Sequence, residues 1–199
     1  MTTPGFRKGR PGGAPAAAAE GFLSISLFSQ AQILHLMKTE FARARRYGLP
    51  LSCALMAVDR LQQLVDLHGQ ALREAVRKGL ADLVRAKTRS PDLMGVLSDD
   101  RYLLLLPHTP LSAARSIAER LRLQFGELEI RVDDRLMALT LSLGITSNHD
   151  RETMFFDSMV GQAEAALEHA IARGGNQVRS FDEARLSAGG LLPDSEPQV

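Results

Sequence analysis

The chain has 199 residues, 45% hydrophobic and 24% charged, which suits one ordinary domain with a real core and a soluble surface. A net charge of +1 argues against a generic nucleic-acid binder, and a single cysteine, Cys53, excludes a disulfide framework and disfavours a cysteine-based zinc site. No apolar run approaches the ~18 residues needed to span a bilayer, so the sequence predicts no membrane insertion and a cytoplasmic protein.

Residues 1–20 are rich in Pro, Gly and Ala and carry Arg7, Lys8 and Arg10 against Glu20 alone. Such a stretch cannot bury enough apolar surface to offset its ordering entropy, which predicts a disordered N-terminal tail. A domain over residues 21–184 follows. Its first helix spans residues 29–47, with Ile33, Leu36, Met37 and Phe41 at helical spacing, and Gly48-Leu49-Pro50 ends it. Residues 51–58 form a continuous apolar run of strand length, with Cys53 inside it as a buried, inert thiol. A helical region over 60–87 is interrupted near His68-Gly69.

Two apolar runs, 93–97 and 102–107, then flank the polar tetrad Ser98-Asp99-Asp100-Arg101, the pattern of a β-hairpin with a charged tip. A helix over 111–125 comes next. Strands over 127–132 and 136–146 are joined at Asp133-Asp134. The last helix, 154–172, stops at Gly174-Gly175, and 177–180 is a short final strand. Residues 185–199, with Gly189-Gly190, Pro193 and Pro197, read as a second disordered tail. This order predicts an α/β fold with helices packed on a sheet.

The hairpin resembles the signature of the GGDEF family, the bacterial diguanylate cyclases that join two GTP molecules into cyclic di-GMP. The family's Gly-Gly-Asp/Glu-Glu-Phe reads Ser98-Asp99-Asp100-Arg101-Tyr102 here. Arg89-Ser90-Pro91-Asp92 matches the family's product-binding RxxD at its usual five-residue gap before the tip. The resemblance covers residues 22–183. Asp59, Asp66 and Gly69 hold places in the stretch after the first strand, and Thr140-Leu-Ser-Leu-Gly144 is similar to the family's Thr-x-Ser-x-Gly strand. Gly174-x-Asn176-x-Val178 is similar to its C-terminal motif. The implied fold is the nucleotidyl-cyclase-like GGDEF domain, a central, mainly antiparallel β-sheet flanked by helices.

The resemblance also implies that the synthetic chemistry is eroded. Ala57 stands where the family has a metal-ligating acid, Val65 where an Asn reads guanine, and Glu74 where an Asp assists it. Ile171 and Gly175 replace the C-terminal phosphate partners, and Arg101 replaces an acid and is expected to repel Mg²⁺. Asp59, Asp66, Asp99 and Asp100 then read as exposed loop acids. The five histidines (His35, His68, His108, His149 and His169) show no metal-ligand spacing. The expectation is a degenerate GGDEF domain that is not an enzyme, with no catalytic residues, no metal and no required cofactor.

The product-binding motif is kept. An Arg fork suits guanine O6/N7 or phosphate, and a carboxylate can accept from the Watson–Crick donors. Arg89 and Asp92 fit those roles, and Arg120 matches a second arginine that often completes the family's site. Arg131–Asp134 and Arg179–Asp182 are also RxxD, but only Arg89–Asp92 has the placement before the hairpin. The expected function is a cyclic di-GMP receptor that relays the signal to a protein partner. Its two-fold symmetric ligand would be able to bridge a homodimer. The alternatives are a ligand-independent interaction scaffold and a residual GTP-binding regulator or cyclase.

Overall fold

A computed structural model describes residues 27–148 and 155–189. The expected N-terminal tail and residues 190–199 lie outside the described residues. Helix α1 (Gln30–Tyr47) opens on a capping box in which the Ser29 amide donates to Gln32 Oε1 at 2.9 Å and the Gln32 amide donates back to Ser29 Oγ. It closes on Gly48, in the left-handed conformation. Strand β1 (Leu51–Val58) follows, then helices α2 (Leu61–His68) and α3 (Gln70–Lys87), separated at Gly69 as the sequence predicts. The hairpin β2 (Leu93–Val96) and β3 (Arg101–Pro107) leads into α4 (Leu111–Gly126).

Here the sequence reading needs correction. The strand expected over 136–146 is two strands in two sheets: β4 (Ile130–Val132) and β5 (Arg135–Met137) form a small hairpin of their own, and β6 (Leu141–Ser147) enters the main sheet. The intervening turn is fixed by the Asp59 amide, which donates to the Thr140 carbonyl at 2.9 Å. The chain continues through α5 (Phe156–Ala172), β7 (Val178–Ser180) and α6 (Phe181–Gly189). Helix α6 starts directly after β7 and carries regular structure past residue 184, into the segment expected to be a tail.

The main sheet has the order β2-β3-β1-β6-β7, antiparallel throughout except for the β6–β7 pair. This is the expected fold, a mixed and mostly antiparallel sheet flanked by helices. Its central strands are buried on both faces, which explains their unbroken apolar runs. Along β1, Ala54, Met56 and Val58 join one core with Leu72, Val76 and Leu80 of α3 and Ala118, Leu121 and Phe125 of α4. Leu51, Cys53 and Leu55 join a second core with Ile33, Met37 and Phe41 of α1 and Met159, Ala163 and Leu167 of α5. Helix α5 lies so close to β6 that a Cβ at Gly144 would fall 2.1 Å from the Ala163 carbonyl oxygen. Only glycine permits that contact.

Candidate functional site

Helix α3 ends at Lys87, and the RxxD turn follows at once. The Asp92 amide donates to the Arg89 carbonyl, and the Arg89 amide donates to Asp92 Oδ2, each at 2.9 Å. The acid therefore ties the turn from both sides, while Pro91 fixes one backbone angle within it. The Asp92 side chain is 0% exposed; its Oδ1 lies 3.5 Å from Arg89 Nη2 and makes no hydrogen bond. The Arg89 side chain is 57% exposed. Its Nη2 donates to Thr109 Oγ1 at 2.7 Å, across the β2–β3 ladder.

Arg120 of α4 comes to the same place. Its Nη2 donates to the Lys87 carbonyl at 2.8 Å, meeting the negative end of the α3 dipole. The structure thus gathers Arg89, Asp92 and Arg120 around the end of α3, although they are spread over more than thirty positions of sequence. Two guanidinium groups face outward there, with donors to spare for a planar base edge or a phosphate. The carboxylate is covered and already used by the turn. Sequence reasoning expected it to be a ligand group and missed its backbone role.

The signature hairpin is a tight turn with both central residues, Asp99 (φ 59°) and Asp100 (φ 56°), left-handed. Hairpin turns of the primed kind require this, and Asp tolerates it where most residues do not. Asp100 is no exposed loop acid: its Oδ2 accepts from Arg73 Nε of α3 at 2.9 Å, both side chains being 26% exposed. Arg73 also donates to Gln62 and Gln70, so it bridges α2, α3 and the hairpin tip. Arg101 is clamped in turn by Glu164, at 2.5 Å, and Glu168 of α5. Two carboxylates counter its charge, so the expected repulsion of a cation by a bare Arg101 is not what the fold presents. The pair Glu164 and Glu168, four apart on one helix face, was the sequence signal for this clamp. Tyr102 behind the tip is buried, and burial with the Asp100 charge pushes its hydroxyl up to about 12.

Asp59 also departs from expectation. It accepts from Thr140 Oγ1 (2.6 Å), Ser142 Oγ (2.7 Å) and the Asn176 amide (2.9 Å), which pins the end of β1 to β6 and to the loop after α5. Asp66 and Asp99 are exposed, as expected. Val65 is a buried core residue of α2, and Ile171 is 40% exposed. For the divalent metal that the fold family implies, the side-chain donor set does not fit: Ala57 offers no side-chain oxygen, Asp59 is spent on three donors and Asp100 on Arg73. Among the described residues no three His, Cys, Asp or Glu side chains come together to hold an ion. No described helix is long and apolar enough to cross a membrane.

Comparison with known proteins gives this arrangement a context. Residues 26–177 match the family model of the diguanylate cyclase GGDEF domain. Diguanylate cyclase A of Treponema denticola is 30% identical over 129 residues, 64% of this chain and 34% of that protein. The chain therefore spans about a third of that relative's length. The crystal structure of the diguanylate cyclase SiaD in complex with its activator SiaC from Pseudomonas aeruginosa superposes with a TM-score of 0.73 at 28% identity, covering 82% of this chain and 64% of that one. The GGDEF domain of DgcB from Caulobacter crescentus, crystallised with c-di-GMP, gives a TM-score of 0.72 at 17% identity, over 78% and 92%. These findings overturn one expectation. The sequence reading held that the chain is not an enzyme, whereas the matched family and these relatives are named for diguanylate cyclase activity. Ala57 and Val65, on which that expectation leaned, do not carry it.

Proposed function

This chain belongs to the diguanylate cyclase GGDEF-domain family, and we propose that it binds cyclic di-GMP at Arg89, Asp92 and Arg120 and passes that signal to a protein partner. The observation that carries the reading is the convergence of two outward-facing guanidinium groups on the turn that precedes the signature hairpin. Arg89 supplies a fork for guanine O6/N7 or for phosphate, and Arg120 a second cation for the other. Asp92 holds the turn that aims Arg89, and it reaches the Watson–Crick donors of a bound guanine when that turn opens. A two-fold symmetric ligand seated on an exposed arginine pair would also join two copies of the domain. The relay to a partner follows by analogy with SiaD, whose crystal structure contains its protein activator. The covered carboxylate of Asp92 favours a second reading, a scaffold that works without the ligand.

Calorimetric titration of the full chain with cyclic di-GMP separates the two. The receptor reading expects saturable binding that Arg89→Ala weakens by about 1–3 kcal/mol, the worth of a bidentate guanine contact. Arg120→Ala weakens it less. Arg131→Ala, in an RxxD that lies on β4 and pairs with Glu129, leaves it unchanged. No binding at high micromolar ligand, or equal losses from Arg89→Ala and Arg131→Ala, would leave the scaffold reading standing. Light scattering with and without ligand reads the homodimer.

A further inference from the structure

Exposure by itself does not aim an arginine. The Arg89 side chain is more than half exposed, just past the end of α3. A side chain so long samples many rotamers in water, and a ligand that had to order it would bind more weakly for doing so. The fold removes that freedom at one nitrogen. Arg89 Nη2 donates to Thr109 Oγ1 at 2.7 Å and, at 3.4 Å, to the Pro107 carbonyl. Its Nε and Nη1 make no hydrogen bond among the described residues.

Thr109 is a rigid anchor. It is 2% exposed, and its β-branched side chain is stiff at the first torsion. Its backbone is held from both sides: the carbonyl accepts from Ser52 Oγ at 2.7 Å, and the amide donates to the Pro50 carbonyl at 3.2 Å. Ser52 is buried in β1, the middle strand of the sheet, so the anchor is rooted in the core. The polarity of the contact is fixed too. The Thr109 hydroxyl hydrogen goes to the Pro107 carbonyl at 2.9 Å, which leaves Oγ1 to accept from Arg89. Asp92 Oδ1, by contrast, lies 3.5 Å from the same Arg89 nitrogen and makes no hydrogen bond. An uncharged anchor orients the guanidinium without cancelling the charge that an anionic or carbonyl acceptor would meet.

We propose that Thr109 is a positioning residue of the Arg89–Arg120 site: it holds Arg89 by Nη2 and leaves Nε and Nη1 to the ligand. The identity of that ligand rests on the cyclic di-GMP reading, whereas the hold on Arg89 exists without it. Buried as it is, Thr109 acts through Arg89 and does not touch the ligand. Arg120 is held in a similar way, with Nη2 on the Lys87 carbonyl, but that acceptor is backbone and no substitution removes it. Thr109 is therefore the side chain through which the aim of the site can be altered.

The test compares the full chain with Thr109→Val, which keeps the shape and loses the hydroxyl, and Thr109→Ser, which keeps the hydroxyl and loses the methyl group. Without ligand, NMR relaxation of the Arg89 Nε–H group reads the hold directly. That group is expected to be ordered in the wild type and in Thr109→Ser, and mobile in Thr109→Val. In calorimetric titrations with cyclic di-GMP, Thr109→Val should bind about fivefold more weakly, the ratio of one lost hydrogen bond. Thr109→Ser should bind as the wild type does; a role in packing alone would give the opposite order. An Arg89 Nε–H as ordered in Thr109→Val as in the wild type would overturn the proposal. So would a wild type that binds and a Thr109→Val that binds equally well. If Thr109→Val fails to fold, the wild-type relaxation decides: an ordered Nε–H supports the hold and a freely mobile one overturns it. A wild type that binds no cyclic di-GMP, while Thr109→Val still frees Arg89, would strike the ligand reading and leave the positioning role standing.

Discussion

Gly175 and Asp59 occupy one space: a Cβ on Gly175 would lie 2.6 Å from Asp59 Oδ1. The carboxylate cannot swing aside cheaply, because Thr140, Ser142 and the Asn176 amide all hold it. Gly175 is also left-handed, at φ 74°. Gly175→Ala should therefore cost more than the about 1–2 kcal/mol of a left-handed backbone alone, read by urea unfolding. Asp59→Ala should cost a comparable amount, since it leaves two hydroxyls and an amide without their acceptor.

Gly144→Ala should be more damaging. The atoms in its way are backbone, the Ala163 carbonyl oxygen and the Leu167 amide nitrogen, so α5 as a whole must move off β6. The loss is expected at or above the upper end of the about 1–3 kcal/mol typical of overpacking. A chemical denaturation curve within about 1 kcal/mol of wild type, by the same standard, would show that α5 moves off β6 at little cost.

The Arg101 clamp on Glu164 and Glu168 joins a quarter-exposed guanidinium to two half-exposed carboxylates. Water and salt screen such contacts, so Arg101→Ala should cost only about 0.5–1 kcal/mol. That loss should shrink when the unfolding titration is repeated at high salt. A loss independent of salt would mean that packing of the arginine stem, rather than charge, carries the clamp.

Alkaline pH should destabilise the fold through two groups. Burial raises Cys53 from 9.0 to about 12, and burial with the Asp100 charge raises Tyr102 from 10.0 to about 12. The unfolded chain loses these protons first, so stability is full below about pH 9 and falls as pH rises toward 12. The slope is bounded by about 1.4 kcal/mol per pH unit for each group. Cys53→Ser should remove the earlier part of this loss in urea titrations across that range. On the acid side, burial pushes the Glu183 pKa up but is outweighed by the Ser180 amide and Arg115, so it sits below the usual carboxylate value. Its contribution is therefore present at neutral pH and is lost as pH falls through that lowered value.

Asp92→Ala should lower stability as well as any affinity for cyclic di-GMP, because its carboxylate caps the Arg89 amide inside the turn. The cost is that of a lost cap, about 1 kcal/mol. Arg89→Ala, at a side chain more than half exposed, should leave the melting temperature nearly unchanged. Thermal melts of the two variants, run beside the ligand titrations, separate a positioning role from direct contact.

Sequence alone set the order of elements as far as the helix over 111–125, the break at Gly69, the helix stop at Gly48, and the placement of Arg89–Asp92 before the hairpin. Each of these is local: period, capping residue and turn residue act within a few positions of chain. The paired arrangement around them was not local. Only the folded sheet brought Arg120 to Lys87, Arg73 to Asp100, and Glu164 and Glu168 to Arg101. The same holds for Asp59, an ordinary loop acid by its neighbours in sequence. It became a half-buried joint because β1, β6 and the loop after α5 meet at its carboxylate. A charged side chain takes its role from whichever donors long-range packing places within about 3 Å of it, and no pattern in the chain specifies that distance.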